Sequence, residues 1–156
     1  MRRKDREITD PAQITDIMSR CEVLHIAMNG TVVPYLLPVN FGMEPDGLTL
    51  YIHGAASGHK YDVMARDNRV SFEMECINGL VLDEDNHACT MNYESVIGRG
   101  VLEEVTEEAE KIRALDRIMA QYHAEAFAYS HAPVSFTRIL RLRVTERTAK
   151  RRRKIL

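Results

Sequence analysis

Residues 69–76, RVSFEMEC, alternate strictly: Val70, Phe72, Met74 and Cys76 fall on one face of a strand and polar residues on the other. A helix cannot bury that period, so the segment commits the chain to a half-buried sheet. The neighbouring segments repeat the commitment. Cys21–Met28 reads as a strand with Leu24, Ile26 and Met28 on one face, and Asn29-Gly30 behind it is a strong short hairpin signal. Residues 31–43 continue as a second strand. Pro34 and Pro38 cannot donate to a ladder, which makes this strand an edge, bulged or interrupted. A turn at Glu44–Gly47 leads to a third strand over Leu48–His53. Tyr93–Val105 resumes strand character, with Gly98 and Gly100 marking a bulge or a close backbone approach. Ser135–Lys150 is a final strand, while residues 77–92 hold polar and acidic turns and take no placement.

Two helices interrupt this pattern. Asp10 caps the first, Pro11 suits its first position, Gln13 stands three residues after the cap, and Ile14, Ile17 and Met18 form its inner face. The second runs over Thr106–Phe127, with Ile112, Leu115, Met119 and Tyr122 on one face and Glu107–Lys111 as an i,i+4 pair. The total is six or seven strands joined mostly by hairpins, with two or three helices. Regular β-α-β alternation is absent, which argues against a doubly wound parallel sheet. The expectation is an α+β protein, mainly β: a small antiparallel barrel with flanking helices.

The chain has 156 residues, 45% apolar and 28% charged, so a single domain over 1–156 with a real core is expected. A net charge of −2 excludes bulk polyanion binding. The basic run at 150–154 within the tail 150–156 reads as a solvated end, and nucleic acid is not the expected partner. No apolar run approaches the roughly 20 residues of a membrane span, and no secretory leader is visible. Three cysteines (Cys21, Cys76 and Cys89) without CxxC spacing point to a reducing compartment, the cytoplasm, and to no disulfide framework.

One stretch carries chemistry. Tyr51–Asp67 reads YIHGAASGHKYDVMARD: a strand ending at His53, then small residues, then His59, Lys60 and a helix. Small residues let backbone N–H groups approach a phosphate, a helix N-terminus favours the same anion, and Lys60 adds a charge. On composition the run is equally an ordinary glycine-rich turn with an exposed lysine. Neither a phosphate-loop GxxxxGK motif nor a GxGxxG dinucleotide fingerprint occurs. The six histidines (25, 53, 59, 87, 123 and 131) lack metal-site spacing, so no metal is expected. Ser57 and Ser95 lack a nucleophile elbow, and Cys89, two residues after His87, does not make a catalytic pair by spacing alone.

Taken together, RRKDREI near the start, PYLLPVNFG (34–42), LYIHGAASGHKYDVM (50–64), YESVIGRG (93–100) and the closing RTAKRR resemble the 5-nitroimidazole-resistance (Nim-like) branch of the pyridoxamine 5′-phosphate oxidase-like flavoproteins. The resemblance runs along nearly the whole chain. It implies an antiparallel split β-barrel homodimer with FMN, or alternatively FAD, at the subunit interface. It implies that Val39, Asn40 and Phe41 meet the flavin ring, and that His53, Gly54, Ala55, Gly58, His59 and Lys60 form the phosphate end. Tyr93, Ser95 and Val96 would close the site from the partner subunit. His53 and Tyr93 are the candidate proton donors. NAD(P)H would be the electron donor and a small molecule such as a nitro compound the acceptor. The alternative is a flavin- or haem-binding module without turnover. The arginine-rich substrate motifs of members that oxidise pyridoxamine phosphate are not found, which argues against vitamin B6 oxidation.

Overall fold

A computed structural model describes residues 3–122, 134 and 136–153. Among them, eight strands form one mainly antiparallel sheet that curls into a split half-barrel, with three α-helices packed on it. The strands are β1 (Glu7–Ile8), β2 (Leu24–Met28), β3 (Tyr35–Val39), β4 (Gly42–Met43), β5 (Thr49–Gly54), β6 (Arg69–Asp83), β7 (Ala88–Val105) and β8 (Arg138–Arg152). The helices are α1 (Pro11–Arg20), α2 (His59–Arg66) and α3 (Glu108–Tyr122). The sheet order is β3-β2-β6-β7-β8-β5-β4, and β1 adds to β8. No helix among the described residues is long and apolar enough to cross a membrane.

Local chemistry explains the boundaries. The Asp10 carboxylate accepts the Ala12 N–H at 3.0 Å and starts α1, while the Gln13 side chain reaches the same carboxylate at 3.2 Å rather than the cap backbone. Ile14, Ile17 and Met18 are buried as their spacing requires. In β2, Leu24, Ile26 and Met28 point inward. β3 is an edge strand bonded only to β2, which tolerates Pro38 opposite His25. The strand breaks at Asn40–Phe41 before β4.

The core has two parts, one on each side of β5 and β8. Leu50, Ile52, Leu140 and Leu142 face the main cluster with Phe41, Phe72, Met74 and Val96. Tyr51 and Ile139 face α3, where Ala114 and Ile118 cover them. Burial on both faces is why β8 shows no clean alternation. Each buried Leu, Ile, Val, Met or Phe side chain among these contributes roughly 1.5–3 kcal/mol by burial.

Several expectations need correction. The Asn29-Gly30 signal does lie in a hairpin, but residues 29–34 form the connection rather than two, because Met28 pairs with Tyr35. The Asn29 amide is instead drawn to Asp67, at 2.7 Å. Residues 77–92 are not mainly turns: β6 runs on to Asp83, turns at residues 84–87, and returns as β7 from Ala88. This arm leaves Ile77, Leu80, Leu82 and Met91 exposed. Ala114 and Ile118 are the buried residues of α3, and Leu115 packs half-buried against the same cluster as expected, whereas Ile112 and Met119 are only half-buried and Tyr122 is exposed. A Cβ on Gly42 would stand 2.3 Å from Arg117 and Ile118 backbone atoms, so the helix backbone is pressed against β4 at that glycine. Lys111 bonds the Thr137 carbonyl at 3.3 Å and makes no ion pair with Glu107. The expected bulge is present, as a register shift at Arg99/Gly100, and a Cβ on Gly98 would strike the Phe72 ring. His123, His131, Pro133, helix residues 123–127 and tail residues 154–156 lie outside the described residues.

Candidate functional site

The end of β5 builds a cationic corner. Gly54 pairs with Arg138 across the β5–β8 ladder, which sets the arginine beside the turn that leads into α2. The Arg138 guanidinium lies 3.6 Å from the centre of the Tyr61 ring and donates to the Ala56 carbonyl at 3.4 Å. The Tyr61 hydroxyl donates to the Ala55 carbonyl at 2.8 Å. These contacts hold the Ala55–Ala56 turn from below. Lys60 folds back over Gly54: a Cβ there would meet the Lys60 Nζ at 2.3 Å, so only glycine leaves that space to the ammonium.

Gly58 opens α2 at φ +154° and ψ 158°, a region essentially reserved for glycine. No side chain caps this helix: the Tyr61 N–H returns to the Gly58 carbonyl at 3.0 Å, and the N–H groups of His59 and Lys60 before it have no side-chain cap. Among the described residues no carboxylate pairs with Lys60, whereas Arg138 is paired with Glu104 at 2.6 Å. Desolvation, and then the Arg138 charge, push the Lys60 ammonium below its ordinary value. Desolvation and the Lys60 charge do the same to His53. His59 packs edge-on against Tyr35 of β3, with ring centres 5.0 Å apart. The corner thus combines an unneutralised cation, free backbone donors and open space at Gly58. Those are the requirements of a phosphate cradle.

The other expected residues divide into two groups. Val39 is half-buried and Asn40 exposed at the break after β3. Phe41 has its side chain fully buried in the main core, and its N–H donates to the Tyr122 hydroxyl at 3.1 Å. Val96 is likewise fully buried in the core. Tyr93 and Ser95 are half-buried on β7, and the Tyr93 hydroxyl accepts from Arg6 at 3.3 Å. Tyr93 pairs with Arg152, whereas Gly54 pairs with Arg138. The two groups are therefore separated by roughly 14 residues of β8, a path of roughly 45 Å along the strand. One chain does not bring Tyr93 and Ser95 to His53 and Lys60.

Sequence reasoning missed Arg138 and Glu94. Arg138 is one of many arginines in its strand, and only the register with Gly54 singles it out. Glu94 is fully buried between Tyr93 and Ser95 and receives Arg20 at 2.6 Å, Arg153 at 3.3 Å and Arg151. The acid in the YESVIG block is the only available signal, and it does not name the arginines that meet it.

Comparison with known proteins agrees with this architecture. A protein from Bacteroides thetaiotaomicron, provisionally assigned to 5-nitroimidazole antibiotic resistance, superposes with a TM-score of 0.80 at 30% identity, covering 92% of this chain and 85% of its own. The flavocytochrome Anf3 from Azotobacter vinelandii gives 0.80 at 20% identity, over 99% and 72%. An FAD and haem binding protein from Mycobacterium smegmatis gives 0.77 at 19%, over 96% and 74%. No curated protein matches the sequence. The family model described as pyridoxamine 5′-phosphate oxidase matches residues 10–151, nearly the whole of the split barrel, and the chain belongs to that family.

Proposed function

We propose that the protein is a flavin-dependent oxidoreductase that binds FMN, accepts electrons from NAD(P)H and reduces small acceptors such as nitro compounds. The observation that carries this reading is the unneutralised Lys60 over Gly54 at the uncapped start of α2. A flavin phosphate fits that cradle. Lys60, Arg138 and the first N–H groups of α2 would hold it, with Ala55, Gly58 and His59 around it. Val39 and Asn40 would border the ring. When bound, the flavin supplies the hydride chemistry. His53, kept neutral at neutral pH by desolvation and by Lys60, can hold a hydrogen bond to the acceptor without adding charge. The 30% identity to the Bacteroides protein supports a nitro compound as the acceptor class.

The same reading needs a second copy. Tyr93 and Ser95 are remote from the corner within one chain, and two chains related by a two-fold axis can supply both groups to one site. Exposed Ile77, Leu80, Leu82, Met91 and Ile97 on β6 and β7 provide apolar surface for such a homodimer. A cytoplasmic setting belongs to this reading, as the sparse cysteines suggest. The likeness to the flavocytochrome and to the FAD and haem binding protein favours a second reading, cofactor binding without turnover.

Titration of the purified protein with FMN and with riboflavin, followed by visible absorbance, tests the cradle. Lys60→Ala is expected to weaken FMN by about 1.5–3 kcal/mol, roughly 10- to 150-fold, and riboflavin far less. Equal losses would place Lys60 away from the phosphate, and a protein that takes up no FMN would end the flavin reading. Bleaching of the bound flavin by NAD(P)H, with consumption of a nitroimidazole, separates turnover from mere binding.

A further inference from the structure

We propose that Cys21 and Cys76 form an oxidisable dithiol, a site at which a hydroperoxide converts two thiols into an intramolecular disulfide. Cys21 is the residue after α1 and Cys76 lies on β6, 55 positions away, yet their sulfurs are 3.3 Å apart. Both sulfurs converge on the Ile17 carbonyl, at 3.3 Å from Cys21 and 3.9 Å from Cys76. A disulfide requires about 2.05 Å, so the sulfurs need close by only about 1.3 Å. The spacing of the two residues gives no hint of this, since they meet only when α1 docks on the sheet.

The two thiols are not equivalent. Cys21 is buried, 3% exposed, and burial together with the neighbouring Cys76 pushes its thiol well up. It is a proton-bearing, sheltered partner. Cys76 is half-buried and borders an open cleft of about 410 Å³ with Arg20, His25 and Glu75. A small oxidant therefore reaches Cys76 first and Cys21 second, the order of a sensing thiol with a resolving thiol. The site shares no residue with the β5–α2 corner and does not rest on flavin binding.

The steps balance. The Cys76 thiolate attacks one peroxide oxygen, the O–O bond breaks, and Cys76 becomes a sulfenic acid while the other oxygen leaves protonated as alcohol or water. The Cys21 sulfur then attacks the Cys76 sulfur, the S–O bond breaks, and the hydroxide leaves with the Cys21 proton as water. Two electrons pass from the two sulfurs to the peroxide.

The test uses the full chain in a Cys89→Ser background, which removes the exposed third cysteine. After treatment with hydrogen peroxide the protein is denatured, alkylated and weighed. The expected result is no alkylated thiol, a loss of about 2 Da relative to the untreated, unalkylated chain, a Cys21–Cys76 linked peptide, and recovery of both thiols on reduction. Adding Cys21→Ala is expected to arrest the reaction at a sulfenic acid on Cys76 that dimedone traps. Full alkylation of both thiols after peroxide, or oxidation of Cys76 to sulfinic acid without a linked peptide, overturns the proposal. The Cys89→Ser measurement decides the matter even where Cys21→Ala does not fold.

Discussion

Two clusters of positive charge sit on the same sheet and follow opposite logic. Around Glu94, three arginines converge on one fully buried carboxylate. At the β5–α2 corner, Lys60 and the first N–H groups of α2 converge on no carboxylate among the described residues. A buried charge that finds its counterion within the chain belongs to the architecture. A desolvated charge that lacks one is poised for an anion from outside. The contrast teaches that counting basic residues says little, while asking where each one's partner lies says a good deal.

The contrast can be broken, beginning with the largest effect. Glu94→Gln leaves three guanidinium groups around a neutral amide. Urea denaturation is expected to show a loss of about 3 kcal/mol, near the lower end for broken buried pairs because the arginines keep some solvent. A loss under about 1 kcal/mol would make the cluster ordinary surface and erase the contrast. Arg113 and Arg117 meet Glu44 at 2.7 and 3.1 Å in a smaller version of the same arrangement. The hydrogen bond from Arg113 holds the Glu44 carboxyl below its ordinary value of 4.5, against the opposing effect of burial. Its folded value is depressed, so this stabilisation is fully present above that ordinary value and is lost as pH falls through the lower folded one. Glu44→Gln is therefore expected to cost about 1 kcal/mol at neutral pH and nothing in strong acid, as followed by thermal unfolding across pH. Lys60→Ala should have the smallest effect on stability, within about 0.5 kcal/mol, since no internal partner loses its mate. A destabilisation above about 1 kcal/mol would make Lys60 a structural cation and blunt the comparison from the other side.

Much of the barrel was legible because its signals are local. The alternation of Val70, Phe72 and Met74, the Asp10-Pro11 helix start and the edge placement of Pro38 all follow from residues a few positions apart. What stayed hidden depends on tertiary geometry. The β6–β7 arm projects beyond the core, so burial writes no pattern into Leu80, Leu82 or Met91. The inner face of α3 centres on Ala114 and Ile118, where the helix backbone comes close to Gly42, a contact that spacing along the helix does not reveal. In the candidate site, the loop from His53 to Lys60 could be picked out by composition and family resemblance. Arg138 could not, because its relevance rests on pairing with Gly54. Phe41 and Val96 lie inside recognisable blocks, yet packing claims both side chains for the core.

β8 touches β7 on one side and both β5 and β1 on the other. Its ladder joins Lys150 to Glu7 and Arg138 to Gly54, residues far apart along the chain. Such pairings pay the full entropy of loop closure before they return any packing energy. The local β6–β7 hairpin is expected to assemble early, while the barrel closes only when β8 docks, on a timescale on the order of milliseconds to seconds. Until then the cationic corner lacks its arginine, so the anion site proposed there would be completed only in the last step of folding.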